Sequence, residues 1–186
     1  MTNCEKLSTG LDRAAWAYFF LYFDITIGSV TLLPPFVGYL LFLSALRLLE
    51  QEEQELKLLK PLALLLAAWH SVDWVLSLLD LNLYGVQFID LIRDVVNLYF
   101  HFQLLTDLAS IACRYQPEDA VLDEKLLRCR TLQTIMLTII WSLTYFSKYF
   151  GDFWNFISGG MGVVYIIAGV CLMRAIFALR RSLPDE

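Results

Sequence analysis

Long apolar stretches, interrupted at short intervals by charged segments, constrain this chain more than any other feature of its sequence. Hydrophobic residues make up 58% of the 186 residues, and the mean hydropathy is +0.58. Soluble domains contain about 45–50% apolar residues. A helix needs roughly 20 apolar residues to cross about 30 Å of hydrocarbon. The sequence therefore predicts an all-α integral membrane protein with one polytopic domain over residues 1–186.

Six apolar stretches are candidates for membrane spans. They cover about 14–30, 35–49, 61–81, 86–111, 131–150 and 156–179. Pro34 and Pro35 separate the first two, because proline cannot continue a helix. Both of these spans are short and the first contains Asp24, so a short or re-entrant hairpin is the alternative to two full crossings. The expected fold is a bundle of six transmembrane helices.

The Lys and Arg residues predict which way the spans run, because cytoplasmic loops are enriched in basic residues. With the N-terminus inside, the inner segments are 1–13, 47–60, 112–131 and 174–186. They contain all of the 14 basic residues except Arg93 and Lys148. We therefore expect a bacterial plasma-membrane protein with both termini in the cytoplasm. The four cysteines fall at or near the same side, where reduced thiols are expected.

Polar side chains recur at helical spacing on the third and fourth spans. At about 100° per residue, each set occupies one face of its helix. A short turn joins the two spans, so they should form an antiparallel hairpin whose polar faces meet as rungs. We call these rungs the polar ladder. They pair His70 with His101, Asp73 with Asn97, Ser77 with Asp94, and Asp80 with Asp90.

The ladder is expected to reach from the outer surface to the middle of the membrane. His70 lies about 11 residues from the outer end, roughly 16 Å at the rise of a helix. An ionisable residue at that depth costs at least about 2.5–3.5 kcal/mol, so repeated ones imply partners, water or an ion. We therefore expect a transporter or channel-like protein that handles a cation or protons.

Two kinds of site are predicted within the ladder. Two imidazoles with a carboxylate suit a divalent transition metal such as Zn²⁺, and histidine also relays protons near neutral pH. The predicted deep site consists of His70, Asp73, Asn97 and His101. The predicted ion entrance consists of Asp24, Asp80, Asp90 and Asp94, with Arg93 neutralising one neighbouring acid. A haem between the two histidines is a weaker alternative, because polar neighbours crowd the slot that haem needs.

Two other functions remain open. Polar side chains often bond across membrane helices, so the chain is alternatively an accessory or scaffold subunit whose ladder only joins the hairpin. It is also alternatively a membrane enzyme with a metal at the histidine rung, although no GxSxG, HExxH, P-loop or GxGxxG motif occurs. A homo-oligomer or partner membrane subunits are expected, and no basic run suggests nucleic acid. In length and span number the chain is similar to the substrate-binding subunits of energy-coupling-factor vitamin transporters, a likeness of topology alone.

Overall fold

The computed structural model describes residues 3–23, 26–27, 30–31, 33–79, 87–117, 120–151 and 153–183. Within these ranges the chain is helical, as the sequence predicts. The α-helices are α1 (Asn3–Tyr22), α2 (Pro35–Leu49), α3 (Leu56–Leu78), α4 (Gln87–Tyr115), α5 (Leu122–Tyr145) and α6 (Phe153–Arg181). Between α1 and α2, the two-residue strands β1 (Thr26–Ile27) and β2 (Val30–Thr31) pair antiparallel. A short 3₁₀ helix (Ser147–Tyr149) follows α5.

Some helices begin or end at residues that differ from the limits of the apolar stretches. Helix α1 begins in the polar N-terminal segment and ends at Tyr22, so residues 14–30 do not form one helix. Helix α2 begins at Pro35, whose fixed φ suits a first helical position. Helix α3 begins at Leu56, before the expected residue 61, and contains Pro61. Pro61 is the sixth residue of the helix, and it lacks the N–H that would bond the Lys57 carbonyl oxygen.

The six helices pack as a closed ring. Each helix contacts the next along the chain from α2 to α6, and α1 contacts both α2 and α6. The α1–α2 contact is the most extensive, whereas the α3–α4 and α5–α6 contacts are the least extensive of the six. The ring therefore has four tighter seams and two looser ones.

Large aromatic side chains fill the side of the ring where α1, α2 and α4 meet. Tyr18, Tyr39, Phe42 and Phe100 are at most 1% exposed. The Phe42 ring lies 4.9 Å from the Tyr18 ring and 5.3 Å from the Phe100 ring, edge to face in both cases. Aromatic pairs favour such edge-to-face geometry. This buried aromatic core is what positions the polar groups described below.

The seam between α1 and α6 requires a glycine. A Cβ atom at Gly169 would lie 2.4 Å from the Tyr22 ring, closer than real Cβ contacts come. The glycines at 159, 160 and 162 differ, because a Cβ atom there would meet nothing within 4 Å. Helix α6 therefore packs closely against α1 at Gly169 and has open space beside the glycines nearer its start.

Two described helices are long and apolar enough to cross a membrane, namely Leu56–Leu78 and Trp154–Arg181. Helix Pro35–Leu49 is apolar but shorter. Only 17% and 33% of the two apolar windows are buried, whereas the core helix of a soluble protein is mostly buried. These helices are compatible with membrane association. Charged residues in α1, α4 and α5 lower the hydropathy of the other helices, so six spans are not established on this criterion.

Candidate functional site

One guanidinium is surrounded by three carboxylates between α3 and α4. We call these four side chains the carboxylate cluster: Asp73, Asp90, Arg93 and Asp94. The Arg93 nitrogens lie 3.3 Å from an Asp90 oxygen, 3.1 Å from an Asp94 oxygen and 3.7 Å from an Asp73 oxygen. Three ionised carboxylates around one cation leave an excess of two negative charges. The cluster is therefore a place where a further cation or a proton is stabilised by the local field.

The members of this cluster differ in their exposure. Asp94 is buried, at 8% exposed, and Arg93 donates to its Oδ1 atom through Nε at 3.2 Å and Nη2 at 3.1 Å. The Asp73 and Asp90 side chains are 37% and 39% exposed. The cluster thus has an open outer part and a buried inner part, with Arg93 joining them.

A second polar group begins one helical turn farther along α4. We call it the tyrosine–histidine cluster: Tyr18, Tyr39, His70, Asn97 and His101. The Tyr39 hydroxyl donates to Asn97 Oδ1 at 2.6 Å. Tyr39 is 1% exposed, so this bond is made away from solvent. It links α2 to α4 and satisfies two polar groups that would otherwise be costly to bury.

The two histidines both pack against Tyr39. The His70 ring stacks on the Tyr39 ring at 5.1 Å with an interplanar angle of 6°, and the His101 ring lies 6.3 Å from it. His101 is 5% exposed, and its Nδ1 atom lies 3.2 Å from the Tyr18 hydroxyl. Both histidine rings therefore contact Tyr39, with His101 buried and His70 partly buried.

The rungs of the ladder are shifted from the predicted register. Asp73 faces Arg93, one helical turn from Asn97, and Asn97 pairs with Tyr39. The predicted partner of Asp90 was Asp80, which lies outside the described residues, as does Asp24. Asp90 instead contacts Arg93 on its own helix. The antiparallel hairpin itself is present, because Gln103 on α4 reaches Glu55 at the start of α3, at the opposite end from Asp73.

Three of the four predicted metal ligands have polar partners within the protein. Asp73 faces Arg93, Asn97 accepts from Tyr39 and His101 contacts the Tyr18 hydroxyl. Among the described residues, no group of three or more His, Cys, Asp or Glu side chains could hold a metal ion. The donor set thus gives the predicted transition-metal site no support.

The spacing of polar residues does not identify Tyr18 and Tyr39, which join the histidines to α1 and α2. Both lie in aromatic-rich apolar stretches, where tyrosine is usually an interface or packing residue. The one sequence feature that could have identified these two residues is the phenolic hydroxyl, which needs a hydrogen-bond partner when it is buried. A cavity of about 370 Å³ also reaches Asn97 from α5 and α6, and Trp141, Thr144 and Tyr165 are among its lining residues.

The α2–α3 connector docks onto the opposite end of α4. Ser110 and Arg114 both donate to Glu53, and Tyr115 donates to Glu52 Oε2 at 2.8 Å. The Arg114 guanidinium also bonds the Glu52 carbonyl oxygen at 2.9 Å. These contacts close the end of the α3–α4 seam that lies away from the carboxylate cluster.

The carboxylate cluster and the tyrosine–histidine cluster thus follow each other on successive turns of α4. Such groups exchange protons and bind cations. Comparison of the chain with protein-family models, curated proteins and solved structures finds no match.

Proposed function

We propose that this chain is an integral protein of a bacterial plasma membrane, with six helices that enter or cross the bilayer and both termini in the cytoplasm. Outward apolar side chains support this placement. Leu64, Leu65 and Val75 on α3, and Val163 and Ile167 on α6, are each 48% exposed or more. A soluble monomer rarely exposes apolar patches of this extent.

We propose further that the chain is a small transporter or channel-like protein that moves protons or a small cation. The observation that carries this proposal is the carboxylate cluster, in which Arg93 contacts three carboxylates at once. A purely structural ion pair needs one acid for each base. Two extra acids at the mouth of a buried polar region instead favour an arriving positive charge.

The polar groups continue inward from that cluster. Asp94 is followed on α4 by Asn97 and then His101, and Asp90 to His101 spans about 16 Å along the helix. That distance is about half the thickness of the hydrocarbon. Tyr39 and Tyr18 supply hydroxyls beside Asn97 and His101. Each group on this route can accept or donate a proton, apart from the Asn97 amide, which can orient a neighbour or a water.

Protons fit this route better than a transition metal does. A metal ion needs several donors that converge on one point, whereas these donors are bonded in pairs to one another. A proton needs only a succession of groups within hydrogen-bond reach, directly or through water. We therefore propose proton movement first and a small monovalent cation second.

The test is proton flux in reconstituted vesicles that contain a pH-sensitive dye, driven by a potassium diffusion potential. We expect flux above that of empty vesicles for the wild type and loss of most of it for Asp94→Asn, because the buried carboxylate can no longer ionise. Asp123→Asn is the matched control, since Asp123 bonds Gln116 at the start of α5, outside the site. Wild-type flux equal to empty vesicles, or full flux from Asp94→Asn, would refute the proposal.

The second candidate is an accessory or scaffold subunit of a larger membrane complex. The observation that favours it is the pairing of the inner groups, because Tyr39 with Asn97, and Tyr18 with His101, can hold helices together without moving anything. This candidate predicts no flux in vesicles and a membrane subunit that copurifies in fixed stoichiometry. Mass spectrometry of gently solubilised complexes measures that outcome.

A further inference from the structure

Basic side chains line a large cavity between α5 and α6, far from the carboxylate cluster. We call it the basic cavity. Its volume is about 650 Å³, and its polar lining consists of Lys125, Arg128, Cys129, Cys171, Arg174 and Arg181. None of its described lining residues is acidic. The cavity therefore concentrates positive charge in a chain whose net charge is −5.

Most of this charge has no counter-ion within the described part of the chain. Arg128 pairs with Glu124 at 3.0 Å, and both side chains are more than half exposed. Lys125, Arg174 and Arg181 form no ion pair with any described residue. The neighbouring Arg180 differs, because it pairs with Asp12 at 3.1 Å. Three cations that converge on one cavity without acids repel one another, so an anion from outside would stabilise them.

Phosphate has the chemistry that this cavity fits best. Guanidinium groups bind phosphate oxygens in bidentate fashion, and ammonium groups add a point charge. A volume of about 650 Å³ is in the range of small-molecule sites, larger than a bare phosphate ion requires. The remaining wall is apolar, with Leu122 and Phe177 among its residues, so the ligand should carry an apolar part next to its phosphate.

The same helix pair provides a place for acyl chains. A second cavity of about 430 Å³ lies along the α5–α6 seam, with Leu132, Ile135, Ile139, Ile157 and Val164 among its lining residues. Val164 is about 15 Å from Arg174 along α6 at the rise of a helix. A charged cavity and an apolar one therefore follow each other along one loose seam. This order matches a phospholipid, whose phosphate precedes its acyl chains.

We propose that the basic cavity binds the phosphate group of an anionic phospholipid, with its acyl chains along the α5–α6 seam. Basic pockets between membrane helices on the cytoplasmic side bind such head groups in general. The inference rests on the membrane placement proposed above, and it is independent of proton movement. Inorganic phosphate has the same chemistry as the phospholipid head group. The experiment must therefore distinguish binding of free phosphate from binding of the lipid.

Native thiols report whether the cavity is occupied. Cys171 is exposed and lines the cavity, whereas Cys113 is exposed on α4 and is not among its lining residues. Two full-length variants each keep one of these cysteines and replace the other three by serine. Both are reconstituted in phosphatidylcholine vesicles with or without phosphatidylglycerol, and the rate of modification by neutral N-ethylmaleimide is measured. Cys113 controls for the negative surface potential of the vesicles.

We expect phosphatidylglycerol to slow modification of Cys171 by about tenfold and to leave Cys113 unchanged. Arg174→Gln with Arg181→Gln should remove most of this protection, since each basic residue near the surface contributes roughly a fivefold effect on affinity. Arg180→Gln is the matched control, because its partner is Asp12 and it does not line the cavity.

Three results would overturn the proposal. They are equal Cys171 rates with and without phosphatidylglycerol, protection that survives the double substitution, and protection by inorganic phosphate in phosphatidylcholine alone but none by phosphatidylglycerol. Failure of the membrane placement is distinguishable, because the chain would then remain soluble without detergent and would not float with the vesicles.

Discussion

The two loosest seams of the helical ring are filled in opposite ways. Between α3 and α4, opposite charges meet, because Arg93 on α4 reaches Asp73 on α3. Between α5 and α6, like charges meet, because Lys125 and Arg128 on α5 share a cavity with Arg174 and Arg181 on α6. The first seam is bridged at both ends by side-chain contacts, and the second contains cavities of about 650 and 430 Å³.

This difference shows that two similarly loose seams can contain opposite arrangements of charge. Neither helix pair has extensive contact, so a few polar contacts have a large influence on the distance between its two helices. Complementary charges across a seam supply attraction that grows as water is excluded. Like charges supply repulsion, which the anion proposed above would relieve. The same comparison assigns the proposed proton route to one seam and the proposed lipid to the other.

The largest expected effect comes from removing the cation that bridges the first seam. Arg93→Gln leaves three carboxylates close together without a counter-ion, one of them buried. We expect a loss of about 2–3 kcal/mol in the free energy of unfolding, below the value for a fully buried pair because Arg93 is partly exposed. The measurement is denaturant unfolding in detergent followed by circular dichroism.

Arg93→Lys is the control for this change, because it keeps the charge and loses only the fork of donors that reaches several carboxylates. We expect Arg93→Lys to lose less than half as much free energy of unfolding as Arg93→Gln loses. Arg181→Gln in the second seam should cost nothing, since it relieves repulsion. Equal destabilisation by Arg93→Gln and Arg181→Gln would contradict the comparison between the seams.

The next effect concerns a tight seam rather than a loose one. Gly169→Val places side-chain atoms against the Tyr22 ring, where a Cβ atom already comes within 2.4 Å. We expect a loss of roughly 1–3 kcal/mol in stability from overpacking between α1 and α6. Gly162→Val on the same helix is the matched control, because it meets open space. The same unfolding assay measures both, and a similar loss in each would show that α6 does not pack as described.

The sequence predicted the helical class and the polar face of α4, but it did not predict how the helices meet. Hydropathy and residue spacing describe the faces of a single helix. They therefore identify one polar face of α4 that consists of Asp90, Asp94, Asn97 and His101. The α3–α4 contacts are shifted by one turn from the predicted rungs, because Asp73 faces Arg93, the centre of the carboxylate cluster, instead of Asn97. Long guanidinium side chains reach a full helical turn, and simple rung matching ignores that reach.

Contacts between distant segments were not predictable from patterns. The bond between Tyr39 and Asn97 joins residues whose spacing carries no periodic signal. The basic cavity was not predicted for a different reason. The sequence places its basic residues in two separate inner segments, with Lys125 and Arg128 in one and Arg174 and Arg181 in the other. Only the packing of α5 against α6 shows that they surround one space.

A smaller effect tests the polar core beside the first seam. Tyr39→Phe keeps the ring that stacks on His70 and removes the hydroxyl that donates to Asn97. We expect a loss of about 1–2 kcal/mol in the free energy of unfolding, because the Asn97 carbonyl oxygen is left without this donor. Tyr99→Phe is the control, since that side chain is 54% exposed. Stability unchanged in Tyr39→Phe would mean that the bond contributes nothing to holding α2 against α4.

The smallest expected effect comes from a substitution that places opposite charges in the second seam, as in the first. Arg174→Glu places one acid among Lys125, Arg128 and Arg181, so it replaces repulsion by attraction across the cavity. We expect a gain of roughly 0.5 kcal/mol in stability, as for other partly exposed ion pairs, and the loss of any stabilisation by phosphatidylglycerol. Unfolding in detergent with and without added phosphatidylglycerol measures both effects. A variant that is less stable than the wild type, and still stabilised by the lipid, would show that the charges lining the cavity do not control how the seam opens.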